Sequence, residues 1–408
     1  MANQLAVDLE LMFEEFVEGF DAGCVISKEA QTSFPEPKTM QRAGDTFYKK
    51  QNYHMDVVNG LDISGEADTA LVERFVPTVY RSPDNIRWSL DAKEMRDPEH
   101  RKNAGKAAAS RLSAEIDKNL YATVAAKANI VVTSASALSW TDGAQAEALM
   151  VSRGIMSGDK KMFLNPFDYL SVSSDLGNKA YITDWSKDAY SRSQVPDIAT
   201  FRTFRTDNQA PLTAIGTVTG TTVNGAQSHT VTAMTGDVPT DNRQMTLTVQ
   251  GANVANIKAG DAFTIAGVNA VHMIDKSDTG QLQTFRVLAV AGAGVTLTIS
   301  PAIVATGPYQ NVTGVAANSA ALSFLNTVTK PVNAFWQQGA VSLDYGRLAF
   351  PTGEGASVKT ATTAQGVPLI MSYEFNHLTG KTTCRFTTLY AATVLDPEKA
   401  GIILANQT

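Results

Sequence analysis

The stretch from Asp97 to Ala128 constrains the chain most. Asp97 is a good N-cap, Pro98 suits the first helical position, and Glu99 suits the positive end of the helix dipole. Ala104, Ala108, Leu112, Ile116, Leu120 and Val124 recur at helical spacing on one face. At 1.5 Å of rise per residue, some 30 residues span roughly 45 Å. A rod of that length in a chain otherwise made of short segments acts as a strut.

The flanking sequence sets what the strut must serve. Residues 3–20 read as an amphipathic helix with Leu5, Leu9, Met12, Phe13, Phe16, Val17 and Phe20 on one face. Its other face carries Asp8, Glu10, Glu14, Glu15 and Glu18; residues 1–30 hold seven acids and one base, Lys28. Thr46–Tyr53 and Val72–Tyr80 read as strands of a long hairpin. Its tip, Val57–Ala70, is rich in Gly, Asp and Ser and is expected to be mobile. A shorter helix at Asp142–Arg153 stops at Gly154.

From Thr213 to Thr329 the composition shifts to Thr, Val, Ala and Gly with few charges. Met245–Val249 and Val295–Ile299 alternate with period two, and Gly292-Ala-Gly294 should turn a hairpin. The inward set is Met245, Leu247, Val249, Phe263, Ile265, Phe285, Val287, Val295, Leu297 and Ile299, enough to close a small barrel. Its rare charges include Asp237, Asp241 and Arg243, clustered before the Met245 strand. After Pro331 the mixed pattern returns, with strands at Leu369–Phe375 and Thr382–Leu389 around Gly380. The chain therefore reads as α+β with an inserted all-β module.

Chemical motifs are missing where an enzyme would show them. There is no phosphate loop, no dinucleotide fingerprint and no Gly-x-Ser-x-Gly elbow. His54, His100, His229, His272 and His377 are scattered, and Cys24 and Cys384 stand alone, so no metal or disulfide framework is expected. A net charge of -6 argues against tight DNA binding. No run of about 20 apolar residues suggests a membrane span, and the N-terminus has no secretory leader pattern. Catalysis and cofactors are not expected.

Several stretches together resemble one family. They are Met40-Gln-Arg42, Met95-Arg-Asp97, Asn129-Ile-Val-Val-Thr133, Met162-Phe-Leu-Asn-Pro-Phe-Asp-Tyr169, Val223-Asn-Gly-Ala-Gln-Ser228 and Asn333-Ala-Phe-Trp336. In order and approximate spacing the chain resembles the major coat proteins of short-tailed phages of the Salmonella temperate type. Each motif is weak alone, and the collinear set covers nearly the whole chain. The Thr235–Arg243 segment departs by being short.

The resemblance implies a Hong Kong 97-like capsid fold with an inserted β-barrel domain. It places an N-terminal arm at 1–30 and an extended loop and peripheral domain with the spine helix at 31–128. The axial domain falls at 129–213 and 331–408, with the inserted domain at 214–330. The implied function is a major capsid protein that self-assembles, as hexamers and pentamers, into an icosahedral procapsid and then a mature shell enclosing double-stranded DNA. A scaffolding protein and a portal protein are the implied partners, with assembly in the bacterial host cytoplasm and the virion capsid as destination.

Three sets of contact residues follow as expectations. Asp8, Glu14, Glu15 and Glu18 would meet the scaffold. Asp237, Asp241 and Arg243 would meet the neighbouring capsomer. Asn59, Gly60, Asp62 and Glu66 would reach an adjacent subunit. A cellular nanocompartment shell of the same fold is disfavoured by the inserted domain. A tail or adhesin protein with a sugar-binding module is disfavoured because 214–330 holds no Trp.

Overall fold

The computed structural model describes residues 3–33, 41–55, 57, 61, 64, 71–91, 93–156, 158–178, 195–208, 210–349, 357–363 and 365–407, with backbone only for 3–8. Its helices are α1 (Asn3–Gly23), α2 (Pro98–Lys127), α3 (Trp140–Ser152) and α4 (Pro166–Gly177). The chain forms two compact units: 1–47, 78–121 and 342–393 make the first, and 48–77, 122–341 and 394–408 the second.

The first unit is built around strand Lys381–Val394. It hydrogen-bonds to Pro368–Asn376 and to Asp84–Leu90, with Cys384 opposite Trp88 and Phe386 opposite Ile86. Ser357–Thr362, Val341–Gly346 and Gln31–Ser33 complete the sheet. Phe386 supplies the aromatic centre: its ring lies 4.0 Å from that of Phe16 and 5.1 Å from that of Trp88. The apolar face of α1 is thereby covered within its own unit, and Leu9, Met12, Phe13, Phe16 and Phe20 are buried.

Small residues bring α1 against α2. A Cβ on Gly105 would sit 2.6 Å from the Met12 carbonyl oxygen, and one on Gly23 would collide with the Ser113 side chain. Past the end of α1, the backbone N–H groups of Val25, Ile26 and Ser27 all donate to the Asp117 carboxylate, at 2.8, 3.0 and 2.9 Å. One buried acid on α2 thus satisfies three donors where the chain turns. The long helix begins as its sequence dictates, with Asp97 Oδ1 accepting from Glu99 N at 3.0 Å.

The sequence reading kept 331–408 together. The strand pairing instead groups 342–393 with α1 and the first part of α2, leaving 331–341 and 394–408 in the second unit.

The second unit holds a five-stranded sheet in the order Ile130–Thr133, Ala400–Leu404, Asn333–Gln337, Lys160–Leu164, Phe201–Arg205. Ile130, Val132, Met162, Leu164, Phe335 and Ile403 from its strands pack with Ala146 and Met150 of α3 and Val172 and Leu176 of α4. Ser139 and Asp142 form a capping box that starts α3. Gly154, at φ +88°, lies just past its end.

Between Phe201–Arg205 and Asn333–Gln337 the chain makes a six-stranded antiparallel barrel. The strand order is Leu322–Phe324, Ala262–Val271, Asp278–Ala291, Thr296–Ser300, Met245–Ala252, Thr219–Val223. A bridge between Thr222 and Ala321, with Val223 N donating to Ala320 O at 2.9 Å, closes the ring. Met245, Leu247, Val249, Phe263, Ile265, Phe285, Val287, Leu297 and Ile299 fill it, as their alternation requires. Val295 does not: it is 40% exposed with helical φ/ψ, because the turn begun at Gly292 runs one residue further than expected.

The barrel leaves and rejoins the sheet at a narrow neck. Pro211–Leu212 pairs antiparallel with Lys330–Pro331. Beside it, fully buried Asn326 donates to Thr213 O at 2.9 Å and to Asp261 Oδ1 at 2.8 Å, and accepts from Ala262 N at 3.2 Å.

Two outcomes follow. A fragment spanning Ala210–Val332 should fold alone, with dispersed amide NMR signals and one cooperative urea transition. Collapsed amide dispersion would refute its autonomy. Asp117→Ala should destabilise the full chain by about 3 kcal/mol in urea unfolding, because it strands buried N–H donors.

Candidate functional site

No catalytic constellation forms among the described residues. Among the described residues no three His, Cys, Asp or Glu side chains converge on a metal-sized site. Cys24 and Cys384 are free and buried, and burial pushes both thiols up to about 11, so they are not nucleophilic thiolates at neutral pH. Burial holds His54 down to about 4, and it is neutral at pH 7. Among the described residues no helix is long and apolar enough to cross a membrane. What remains are surfaces and the anchors that hold them.

The first surface is the acidic face of α1. Glu14 and Glu18 are exposed. Glu15 is turned toward its own unit, with Oε2 3.5 Å from Lys106 Nζ and Oε1 4.0 Å from Lys102 Nζ. Glu10 meets Lys359 at 3.5 Å. The Asp8 side chain lies outside the described residues. The expected strip is therefore split, with Glu15 bound inward and Glu14 and Glu18 facing out.

The hairpin is real but its strands are shorter than expected, Thr46–Lys50 and Phe75–Val79. Beyond them Glu73 ties the arms together, accepting from Lys50 Nζ and Tyr53 Oη, both at 2.9 Å. The tip residues Asn59, Gly60, Asp62 and Glu66 lie outside the described residues.

The third surface is the loop before the Met245 strand. Asp241 and Arg243 are brought together but mainly serve each other. Arg243 Nε and Nη2 donate to Oδ1 and Oδ2 of Asp241 at 2.8 and 2.7 Å, and Nη1 donates to the Val394 carbonyl at 2.5 Å. Each side chain is only 12% exposed. Asp237 instead sits at the exposed turn between Met234–Thr235 and Val238–Pro239, beside exposed Met234 and Val238. Asn242, which sequence reasoning passed over, organises the loop. Its amide donates to Thr232 O at 2.8 Å and to Thr240 O at 3.2 Å, and its carbonyl accepts from Thr232 N at 3.1 Å. The Asp-Asn pair next to Arg243 was the available signal, since both side chains readily bond nearby backbone.

Side chains on the barrel wall anchor it within the second unit. Fully buried Arg286 donates through Nη2 to Ala125 O at 2.7 Å, and Thr284 Oγ1 donates to Asn129 O at 2.5 Å. Tyr309 Oη donates to Val72 O at 2.8 Å.

Comparison with known proteins decides what these surfaces belong to. The family described as "P22 coat protein - gene protein 5" matches residues 1–405. The chain belongs to the P22 coat protein family. It is a coat protein, a structural subunit of a phage capsid, with an α+β architecture.

A comparison with curated proteins finds no match. Among solved structures, the chain is similar to the CUS-3 coat protein I-domain, at 48% identity over 27% of this chain and 99% of that one, with a TM-score of 0.23. It is also similar to the mature capsid of bacteriophage PhiM1, at 7% identity over 94% and 87%, TM-score 0.47. The virus-like particle from Pyrococcus furiosus gives 8% identity over 97% and 98%, TM-score 0.37.

In this member of the P22 coat protein family, the Asp241–Arg243 fork predicts a specific coupling. Asp241→Ala should cost about 2–3 kcal/mol in urea unfolding, since it leaves a half-buried guanidinium without its carboxylate. Adding Arg243→Ala should recover part of that loss. Simple additivity of the two single effects would show that the fork does not act as a unit.

Proposed function

We propose that the chain is the major capsid protein of a tailed phage, building an icosahedral procapsid around a scaffolding protein and maturing into a shell that encloses double-stranded DNA. The single observation that carries this reading is the family match over residues 1–405. Hexamers and pentamers of the same chain supply the shell, and a portal protein occupies one vertex. The subunit does no catalysis, is assembled in the host cytoplasm and ends in the virion.

The geometry supports the reading. A 30-residue strut helix suits a subunit that makes many modest contacts with several neighbours under symmetry. The net charge of -6 suits a wall that must enclose DNA without adhering to it. The alternatives fare less well: a sugar-binding tail module needs an aromatic platform, and 214–330 has no Trp.

The scaffold contact is proposed at the outward acids of α1, Glu14 and Glu18, with Asp8 as a further member of the strip. Exposed ion pairs are worth about 0.2–1 kcal/mol each and are screened by salt, a strength that suits a partner that must later leave. Asp237 is proposed as the part of the barrel loop that meets a neighbouring capsomer, and Asn59, Gly60, Asp62 and Glu66 as the hairpin's contacts on an adjacent subunit.

Electron microscopy of the concentrated full chain should reveal shells or capsomer rings; a monodisperse monomer in every condition would overturn the reading. Glu14→Lys with Glu18→Lys should reduce scaffold-dependent assembly, most at low salt, without lowering the urea midpoint of the free subunit. Unchanged assembly across a salt series would remove the arm's acids from the scaffold contact.

A further inference from the structure

Among the described residues of the second unit two buried arginines, Arg153 and Arg286, keep guanidinium nitrogens without a partner, and of the two Arg153 also lines a cavity. Arg153, just past α3, is 5% exposed, and neither its Nε nor its Nη1 has a hydrogen-bond acceptor. Leaving a buried charged donor unsatisfied is costly, so such a group ordinarily has a ligand. Arg153 lines a cavity of about 30 Å³, roughly twice the minimum needed to hold one water. The barrel wall, the hairpin arms at His54 and Arg74 and the segment around Glu398 line its other sides.

The charges around this cavity are not balanced. Arg74 lines it with its guanidinium 4.3 Å from the centre of the Tyr309 ring, and its Nε also lacks an acceptor. Lys276 lines it while donating to the carbonyls of Met273 and Gln310 at 2.9 and 3.1 Å. Two carboxylates face these three cations. Asp396 is already matched by Lys399 at 2.8 Å. Glu398 accepts from Asn311 Nδ2 at 2.8 Å; burial raises its pKa while Arg153 and Arg74 lower it, so one carboxylate is shared between two guanidiniums. Burial lowers Arg153 to about 10, still cationic at neutral pH. Arg153 and Arg74 therefore face the cavity with more positive charge than Glu398 can balance.

We propose that this cavity is a binding site for a small inorganic anion of chloride size, held by Arg153 and flanked by Arg74 and Lys276. The anion accepts from the free edge of Arg153 and offsets the charge that Glu398 leaves uncompensated. Because the walls come from four separate stretches of chain, occupancy ties the hairpin arms at His54 and Arg74, the end of α3, the barrel wall and the segment after Val394 together. A water in the same place would satisfy geometry but not charge.

Stability of the full-length chain tests this. A ligand that binds only the folded state raises stability with the logarithm of its concentration once above its dissociation constant. Urea midpoints are measured at constant ionic strength while chloride replaces the bulkier gluconate. The wild type should gain stability with chloride in a dose-dependent way, and Arg153→Met should lose that dependence. Glu398→Gln removes a repelling carboxylate while keeping an acceptor for Asn311, and should lower the chloride needed for a given gain about tenfold. Identical midpoints in chloride and gluconate would overturn the proposal and leave water as the occupant. So would equal chloride dependence in the wild type and Arg153→Met. If Arg153→Met does not fold, Glu398→Gln decides, and an unchanged chloride requirement there refutes the site.

Discussion

The pairing of Pro211–Leu212 with Lys330–Pro331 is small, yet the second unit depends on it. The barrel interrupts a sheet between Phe201–Arg205 and Asn333–Gln337, and the chain must return two strands inward of where it left, with Lys160–Leu164 between. Asn326 makes that return reproducible by tying Thr213, Asp261 and Ala262 together in a fully buried place. Its partner Asp261 has its pKa raised by burial, while the bonds it accepts from Lys258 N and Asn326 favour the ionised form. A polar latch is suited to this place because an apolar contact would tolerate sliding, whereas matched donors and acceptors fix one register.

Local pattern made much of this fold legible. The alternation of Met245, Leu247 and Val249 could serve only a strand with one buried face, and the barrel uses it so. Asp97 and Pro98 marked the start of α2 to the residue, because capping is decided within four positions of chain. Long-range pairing left no such trace. Nothing near Asp84–Leu90 announces that it will lie beside Lys381–Val394, so the grouping of 342–393 with α1 and the first part of α2 was missed.

The contact residues were harder to read for a related reason. An acid on a helix looks the same in sequence whether it faces water or a partner. Glu14 and Glu15 are neighbours, yet one is exposed and the other faces Lys102 and Lys106. Asp117 sits inside a charged-looking stretch, Glu115 to Lys118, and reads as surface, but it holds three backbone donors. Arg243 looked like a free loop charge until Asp241 and the Val394 carbonyl were seen to take it up.

The corner at Val25–Ser27 has a mechanical consequence. Its three N–H groups are fastened to Asp117, and immediately before it Gly23 admits no Cβ against Ser113. Load applied to the far end of α1 is therefore still resisted at this corner. The helix would peel from its N-terminal end, turn by turn, with Asp117 as a fixed fulcrum. A subunit made this way can loosen its first helix without losing the helix's place of attachment, and can set it down again where it was.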